Sequence, residues 1–173
     1  MGKVTALLLV KQGASVGLLD LRKPDAVATE VESLVGPGKA IALACNVQDA
    51  KAVNEAVKAV ADHFGRLDGA ANMAGYVGNQ GFYGTGYALD IMNDADWDDM
   101  LATNLNGVKN SLRAEFNHMK NGGSIVNAAS IAGQMGIAYN SPYASSKWAV
   151  IGLTKSAAQE GGSKGIRVNA VAP

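Results

Sequence analysis

The sequence predicts a doubly wound α/β domain: a parallel sheet with helices on both faces. Three observations carry this. Helical and strand patterns alternate along the chain, an order that yields parallel strands joined by crossover helices. Most strand candidates are short, continuous apolar runs, as strands covered on both faces are. Glycine supplies 21 of 173 residues, above its usual share of roughly 7%, and many glycines fall where strand ends would turn.

The elements follow in order. Val4 to Gln12 reads as a helix stopped by Gly13, and Ser15 to Asp20 as a strand. Pro24 to Val35 is a helix with proline near its first turn and Gly36-Pro37-Gly38 as its stop. Lys39 to Cys45 is the second strand, and Asp49 to Phe64 a helix with Asp49 as N-cap and Gly65 at its end. Leu67 to Ala71 is a third strand. Gly75 to Tyr87 is a loop rich in glycine and aromatic residues, either the wall of a substrate pocket or a surface loop. Asp94 to Met119 is one long helix with an apolar stripe at Leu101, Leu105, Val108, Leu112 and Phe116. Ser124 to Ala129 is the fourth strand, Pro142 to Glu160 a helix and Ile166 to Val171 the fifth strand.

Bulk properties narrow the function. The length suits one domain, residues 1–173, with a sizeable core. Hydrophobic residues make up 48%, charged residues 17%, and the formal net charge is +0. Nothing basic argues for nucleic acid and nothing acidic for disorder. The lone Cys45 excludes an internal disulfide and fits a reducing compartment, the cytoplasm. The run Ala6 to Val10 is too short to span a membrane, and no signal peptide is visible. The acidic run Asp94, Asp96, Asp98 and Asp99 opens a helix and complements its dipole; it is not read as a metal site. His63 and His118 read as solvated residues near helix ends, without metal-like partners.

The chemistry concentrates near Tyr143-Ala144-Ser145-Ser146-Lys147. Helix positions i and i+4 share one face, so Tyr143 and Lys147 project into one site. A free tyrosine, with a pKa of roughly 10, shuttles protons poorly at neutral pH. A nearby ammonium favours the phenolate and lowers that pKa, making the pair a usable general acid/base. Ser130 ends an apolar run and sits at a strand's carboxyl end, where its hydroxyl reaches a substrate carbonyl. Ligands of parallel sheets bind outside those ends, and Asn72, Ala74 and Gly75 fall there too.

This set resembles that of the short-chain dehydrogenase/reductase family. Asn72-Met73-Ala74-Gly75 is similar to the family's N-N-A-G, with Met73 in place of the second asparagine. Asn104-Leu105-Asn106-Gly107 is similar to its N-x-x-G, and Ser130-Ile131-Ala132-Gly133 to its S-S-x-x-G. Arg167 to Pro173 resembles its R-V-N-x-(I/V)-x-P. The motifs keep the family's order along the whole chain. The resemblance implies a Rossmann-like fold and an NAD(P)-dependent oxidoreductase interconverting a ketone or aldehyde and an alcohol. Tyr143 is then the proton donor or acceptor, Lys147 lowers its pKa and binds the nicotinamide ribose, and Ser130 orients the carbonyl. Asn104 marks a helix distortion and holds a water that relays protons to the lysine.

The resemblance also assigns a cofactor side. Gly2 matches the last glycine of T-G-x-x-x-G-x-G. Asp20, about 20 residues on, is placed to bind the adenosine ribose and to repel a 2′-phosphate, so NAD is preferred to NADP, with Arg22 nearby as a counterweight. Asn46 and Val47 stand where the family has Asp-Val beside the adenine. Asn72, Ala74 and Gly75 lie against the nicotinamide ribose, and Pro173 closes the set. Partners implied are a small carbonyl or alcohol substrate and further copies in a dimer or tetramer, with no nucleic acid and no membrane. Two departures stand out: the family's first strand and opening glycines precede Met1 in the pattern, and its last strand follows Pro173. The chain therefore reads as an internal portion of a dehydrogenase, with Met1 an internal methionine or the start of a shortened transcript. A sheet without its central strand splits into two parts with open edges. The rival reading is a non-catalytic fragment, an interaction or NAD-sensing module. Substrate determinants are expected in residues 76–93, in 132–142 and in the segment that the family pattern places after Pro173.

Overall fold

The computed structural model describes residues 1–81 and 84–173. Phe82 and Tyr83, placed above in the glycine-rich loop, lie outside the described residues. The element order is α1 (Gly2–Lys11), β1 (Val16–Asp20), α2 (Asp25–Val35), β2 (Ala40–Ala44), α3 (Ala50–Phe64), β3 (Gly69–Asn72), α4 (Asp94–Leu101), α5 (Gly107–His118), β4 (Ser124–Ala128), α6 (Ser141–Gly161) and β5 (Arg167–Val171). The alternation expected from the sequence is there, and every strand pairing is parallel.

The strands form two sheets. β1 pairs with β2, Val16 opposite Ala40 and Asp20 opposite Ala44. β3, β4 and β5 form the second sheet, with Ile125 opposite both Ala70 and Val168. Among the described residues no ladder joins β1 to β3, the division the sequence pattern anticipates. Apolar side chains span it instead. Cys45, Val53, Ala56, Val57 and Ala114 pack together, with Leu19 and Leu43 from the first sheet and Leu67 from the chain entering the second. Most of that cluster's buried residues come from α3. A second core, including Val108, Leu112, Ile125, Val150, Ile166 and Val168, fills the space between the three-stranded sheet and helices α5 and α6. Among the described residues no helix is long and apolar enough to cross a membrane.

Local chemistry sets the boundaries. Asp49 caps α3 by accepting from the Lys51 and Ala52 amides at 2.9 and 3.0 Å, and Gly65 ends it in the left-handed region. Pro24 takes the N-cap position of α2. β3 starts and ends later than the apolar run suggests. The Asp68 carbonyl accepts from Ser124 just outside the ladder, while Asn72, polar and outside the run, pairs in register with Asn127. The long helix expected over Asp94 to Met119 is interrupted by a π-helical turn over Ala102–Asn106.

β1 lies tight against α3. A Cβ added at Gly17 would stand 2.4 Å from Val60 Cγ2 and 2.7 Å from Cγ1. Gly17→Ala is expected to cost about 1–3 kcal/mol through overpacking. The double variant with Val60→Ala should recover part of that loss, since contacting sites are not additive. Urea-unfolding midpoints of the two single variants and the double variant measure this.

Candidate active site

The candidate residues gather at the carboxyl ends of β3, β4 and β5, with α6 running past them. α6 opens with Ser141 and Pro142, a proline suited to the first helical turn. It presents Tyr143 and Lys147 one turn apart, with the Lys147 Nζ 5.5 Å from the Tyr143 ring centroid. Lys147 is only 4% exposed. Its ammonium donates to the carbonyl of Ala128, the last residue of β4, at 2.8 Å. Burial lowers its pKa to about 8. The cation is thus held at the strand end by a backbone acceptor, beside the phenol.

Gly75 stands on the other side of this lysine. A Cβ there would sit 3.0 Å from Asn104 Oδ1 and 3.3 Å from Lys147 Nζ, so the bare backbone is what allows strand end, asparagine and ammonium to converge. Asn104 is fully buried within the π-helical turn. Its oxygen accepts from the Tyr76 amide at 2.9 Å, and its nitrogen donates to the Tyr76 carbonyl at 2.8 Å and to Ser146 Oγ at 3.2 Å. Ser146 in turn donates to the Tyr143 carbonyl at 2.7 Å. The helix distortion attributed to Asn104 is therefore present, and its amide clasps the loop after β3. Ser130 is 7% exposed. Its hydroxyl lies 3.3 Å from the Ala132 amide and 3.4 Å from the Pro173 carbonyl, both long contacts that leave it loosely held.

The residues assigned to a dinucleotide divide into two groups. Exposed Asp20 ends β1 and exposed Asn46 follows β2. Asn46 Oδ1 accepts from the Gln48 amide at 3.1 Å, which uses one of its two lone pairs. Val47 turns inward: its carbonyl accepts from Asn110 at 2.9 Å and its side chain packs on Gly107. Gly2, at the start of α1, lies beside Met73; a Cβ there would be 3.7 Å from that of Met73. Ala74 and Gly75 expose their backbone after β3. Pro173 follows β5, its carbonyl accepting from Ile131 at 2.8 Å. Exposed backbone beside a buried ammonium, and a free carboxylate at the end of β1, fit a nicotinamide dinucleotide laid across the strand ends.

The Asn72 side chain points into the protein. It donates to Glu115 at 3.1 Å and to Asn127 at 2.9 Å, and Asn127 donates to Thr154 at 3.0 Å. Glu115 is 3% exposed on α5. Burial pushes its carboxyl up to about 7, against the opposing pull of the Asn72 hydrogen bond. The sequence reading passed over Glu115, Asn127 and Ser146. Their signal was a polar residue inside an apolar run or on the buried face of a helix. It also passed over the Tyr76 hydroxyl, which bonds the Asp99 carboxylate, while Gln48 donates to Asp99 and to Thr103, both at 2.8 Å. Burial and the carboxylate raise the Tyr76 pKa. Asp99 thus does more than complement a helix dipole. His118, expected in solvent, is partly buried and meets Asn54 Oδ1 at 3.1 Å.

A family model described as enoyl-(acyl carrier protein) reductase matches residues 1–173. The chain belongs to the short-chain dehydrogenase/reductase family. One short-chain dehydrogenase/reductase relative, ABA4 of Pyricularia oryzae, is 43% identical over 175 residues, covering 100% of this chain and 64% of that protein. The 3-oxoacyl-(acyl-carrier-protein) reductase FabG of Thermotoga maritima is 38% identical, with coverage of 100% and 68%. The solved structure of levodione reductase superposes with a TM-score of 0.90 at 34% identity, covering 99% of this chain and 66% of that one. The chain thus spans about two-thirds of the length of these relatives.

Glu115 makes a pH prediction. Its folded pKa of about 7 lies above the ordinary 4.5, so the folded state binds the proton more tightly. Stability from this group is present below pH 4.5 and is lost as pH rises through about 7. Glu115→Gln, which still accepts from Asn72, should exceed the unsubstituted protein above pH 7 by about 3 kcal/mol. The gap should close toward pH 4.5, as read from denaturation midpoints across pH.

Proposed function

We propose that the chain forms the catalytic core of an NAD-dependent oxidoreductase interconverting a ketone or aldehyde and an alcohol. The observation that carries this is the buried Lys147 ammonium, fixed by the Ala128 carbonyl beside the Tyr143 ring and against the bare backbone of Gly75. Membership of an oxidoreductase family sets the reaction class.

In reduction, Tyr143 gives its phenolic proton to the carbonyl oxygen; in oxidation it takes the proton from the alcohol. The Lys147 charge stabilises the phenolate; low dielectric strengthens the attraction between the two charges, while burial lowers the lysine's own pKa. Ser130 orients and polarises the carbonyl with its loosely held hydroxyl. Asn104, beside Lys147 across Gly75, anchors the loop after β3 and stands where a water relay to the lysine would run. Asp20 and Asn46 would hold the adenosine end of the dinucleotide, with Val47 supporting that turn from beneath. Gly2 would approach the pyrophosphate. The backbone of Asn72, Ala74 and Gly75, with Lys147 and Pro173, would hold the nicotinamide end. When bound, the dinucleotide supplies or accepts the hydride. The exposed Asp20 carboxylate favours NAD, although a related structure, ElxO, 30% identical with a TM-score of 0.84, is described with NADP bound.

The second reading is a binding module that senses NAD without turnover. It predicts NADH binding and no catalysis.

Tyr143→Phe should keep NADH affinity and lower turnover by about 10²–10⁴-fold, the usual share of a general acid/base. Fluorescence titration and steady-state NADH oxidation over a panel of carbonyl compounds separate these effects, and undiminished turnover would remove Tyr143 from the mechanism. Asp20→Ala should erode a preference for NADH over NADPH, read from paired dissociation constants. Tighter NADPH binding before substitution would show that Arg22 dominates.

A further inference from the structure

We propose that this site takes an uncharged, apolar ketone or secondary alcohol and rejects substrates that carry a carboxylate or phosphate. The inference rests on the oxidoreductase reading and names its substrate class.

A cleft of about 260 Å³ lies between the loop after β3 and the loop after β4. This is just below the roughly 300–1,000 Å³ typical of small-molecule sites. Tyr87, Ala88, Leu89 and Asp90 form one wall, and Ile137, Ala138 and Tyr139 the other. Ser141 closes it, two residues before Tyr143 on the same helix, which places the cleft at the reacting end of the sheet.

The walls are built. Tyr87 is fully buried, and its hydroxyl accepts from the Gln80 amide at 3.0 Å, pinning the first loop. Tyr139 holds φ at 60°, the left-handed region that a bulky side chain rarely occupies, and such strain concentrates at functional sites. Large apolar side chains of the two wall-bearing loops stand in water. Leu89 is 78% exposed and Tyr139 56%, with Ile91 and Met135 also exposed on the same two loops. Clustered exposure of this kind marks a ligand surface.

Charge decides the class. Residues 67–108 and 121–146, which hold both walls, contain no lysine or arginine. The nearest cation along the chain, Lys147, is buried and bonded to Ala128. Asp90 lines the cleft, and Asp94, Asp96, Asp98 and Asp99 follow on α4. A substrate anion entering here loses water, meets no counter-charge among the described lining residues and feels a negative field. An apolar neutral substrate pays none of these costs. The same pattern disfavours acyl groups tethered through a phosphate-bearing arm.

The test compares a methyl-ketone fatty acid with its own methyl ester, ligands that differ in the charge and in one methyl group. Binding of each to the chain is measured by saturation-transfer NMR with NADH present, and NADH oxidation is followed in parallel. The ester should bind roughly tenfold or more tightly than the acid, and Leu89→Lys, at an exposed position that tolerates the change, should narrow the gap by strengthening acid binding. Equal binding, preference for the acid, binding of neither ligand, or a gap unchanged by Leu89→Lys each overturns the inference. Selective ester binding with no NADH oxidation would leave the specificity standing and sink the oxidoreductase reading.

Discussion

The hydrogen bond from Lys147 to the Ala128 carbonyl is the constraint around which the site is arranged. A buried ammonium is expensive unless its donors find acceptors. Here the acceptor is the last carbonyl of β4, so the helix carrying Tyr143 is tied to the strand end where a ligand would lie. Neighbouring features follow from the space this leaves. Gly75 has no side chain because one would press on both Lys147 and Asn104. Asn104 reaches inward from a π-helical turn, the kind of irregularity often found at functional sites, and closes the loop after β3 with two backbone hydrogen bonds.

Beneath this layer runs a second line of buried polar groups. Glu115, Asn72, Asn127 and Thr154 join α5, β3, β4 and α6 through side-chain hydrogen bonds. Thr154 donates back to the Val150 carbonyl at 2.7 Å, so the line ends on the backbone of α6. A polar chain whose hydrogen-bonding groups are partnered fixes one arrangement of its elements, because each member displaced would leave an unpaired buried group. Asn72 stands three residues before Gly75, and Asn127 precedes Ala128. The brace therefore sets the two strand ends that hold the bare backbone and the lysine's acceptor. Glu115 carries a cost within it, since its burial opposes ionisation.

Much of this was legible in the residues. The alternation of elements, the cap at Asp49, and the meeting of Tyr143 with Lys147 follow from periodicity and spacing, which act locally. The boundaries of β3 were not legible, because they depend on its register with β4. The inward turn of the Asn72 side chain depends on Glu115, 43 residues away, and nothing near either residue announces the other. Asn46 shows the opposite case. Its oxygen is engaged by the Gln48 amide two residues on, a local turn that asparagine readily forms. Asp99 was assigned to the helix dipole on sequence grounds, and its contacts with Tyr76 and Gln48 come from tertiary packing.

In the proposed site the labour divides between the two sheets, and their junction sets its geometry. Asp20 and Asn46, assigned to the adenosine end, stand on β1 and β2, whereas Gly75, Ser130, Tyr143 and Lys147 stand on or beside the second sheet. A continuous ladder would fix the span between such groups through backbone hydrogen bonds. Here it is fixed by α3, whose apolar side chains pack with Leu19 and Leu43 on one side and Ala114 on the other. The polar clasp of Gln48 and Tyr76 on Asp99 adds to it. Gln48 follows the turn after β2 and Tyr76 follows Gly75, so one aspartate on α4 ties the loops at both ends of the proposed cofactor path. The distance across which a dinucleotide would stretch is therefore held by side-chain packing and by the hydrogen bonds of Asp99 and Asn110 to the turn after β2, not by a continuous backbone ladder.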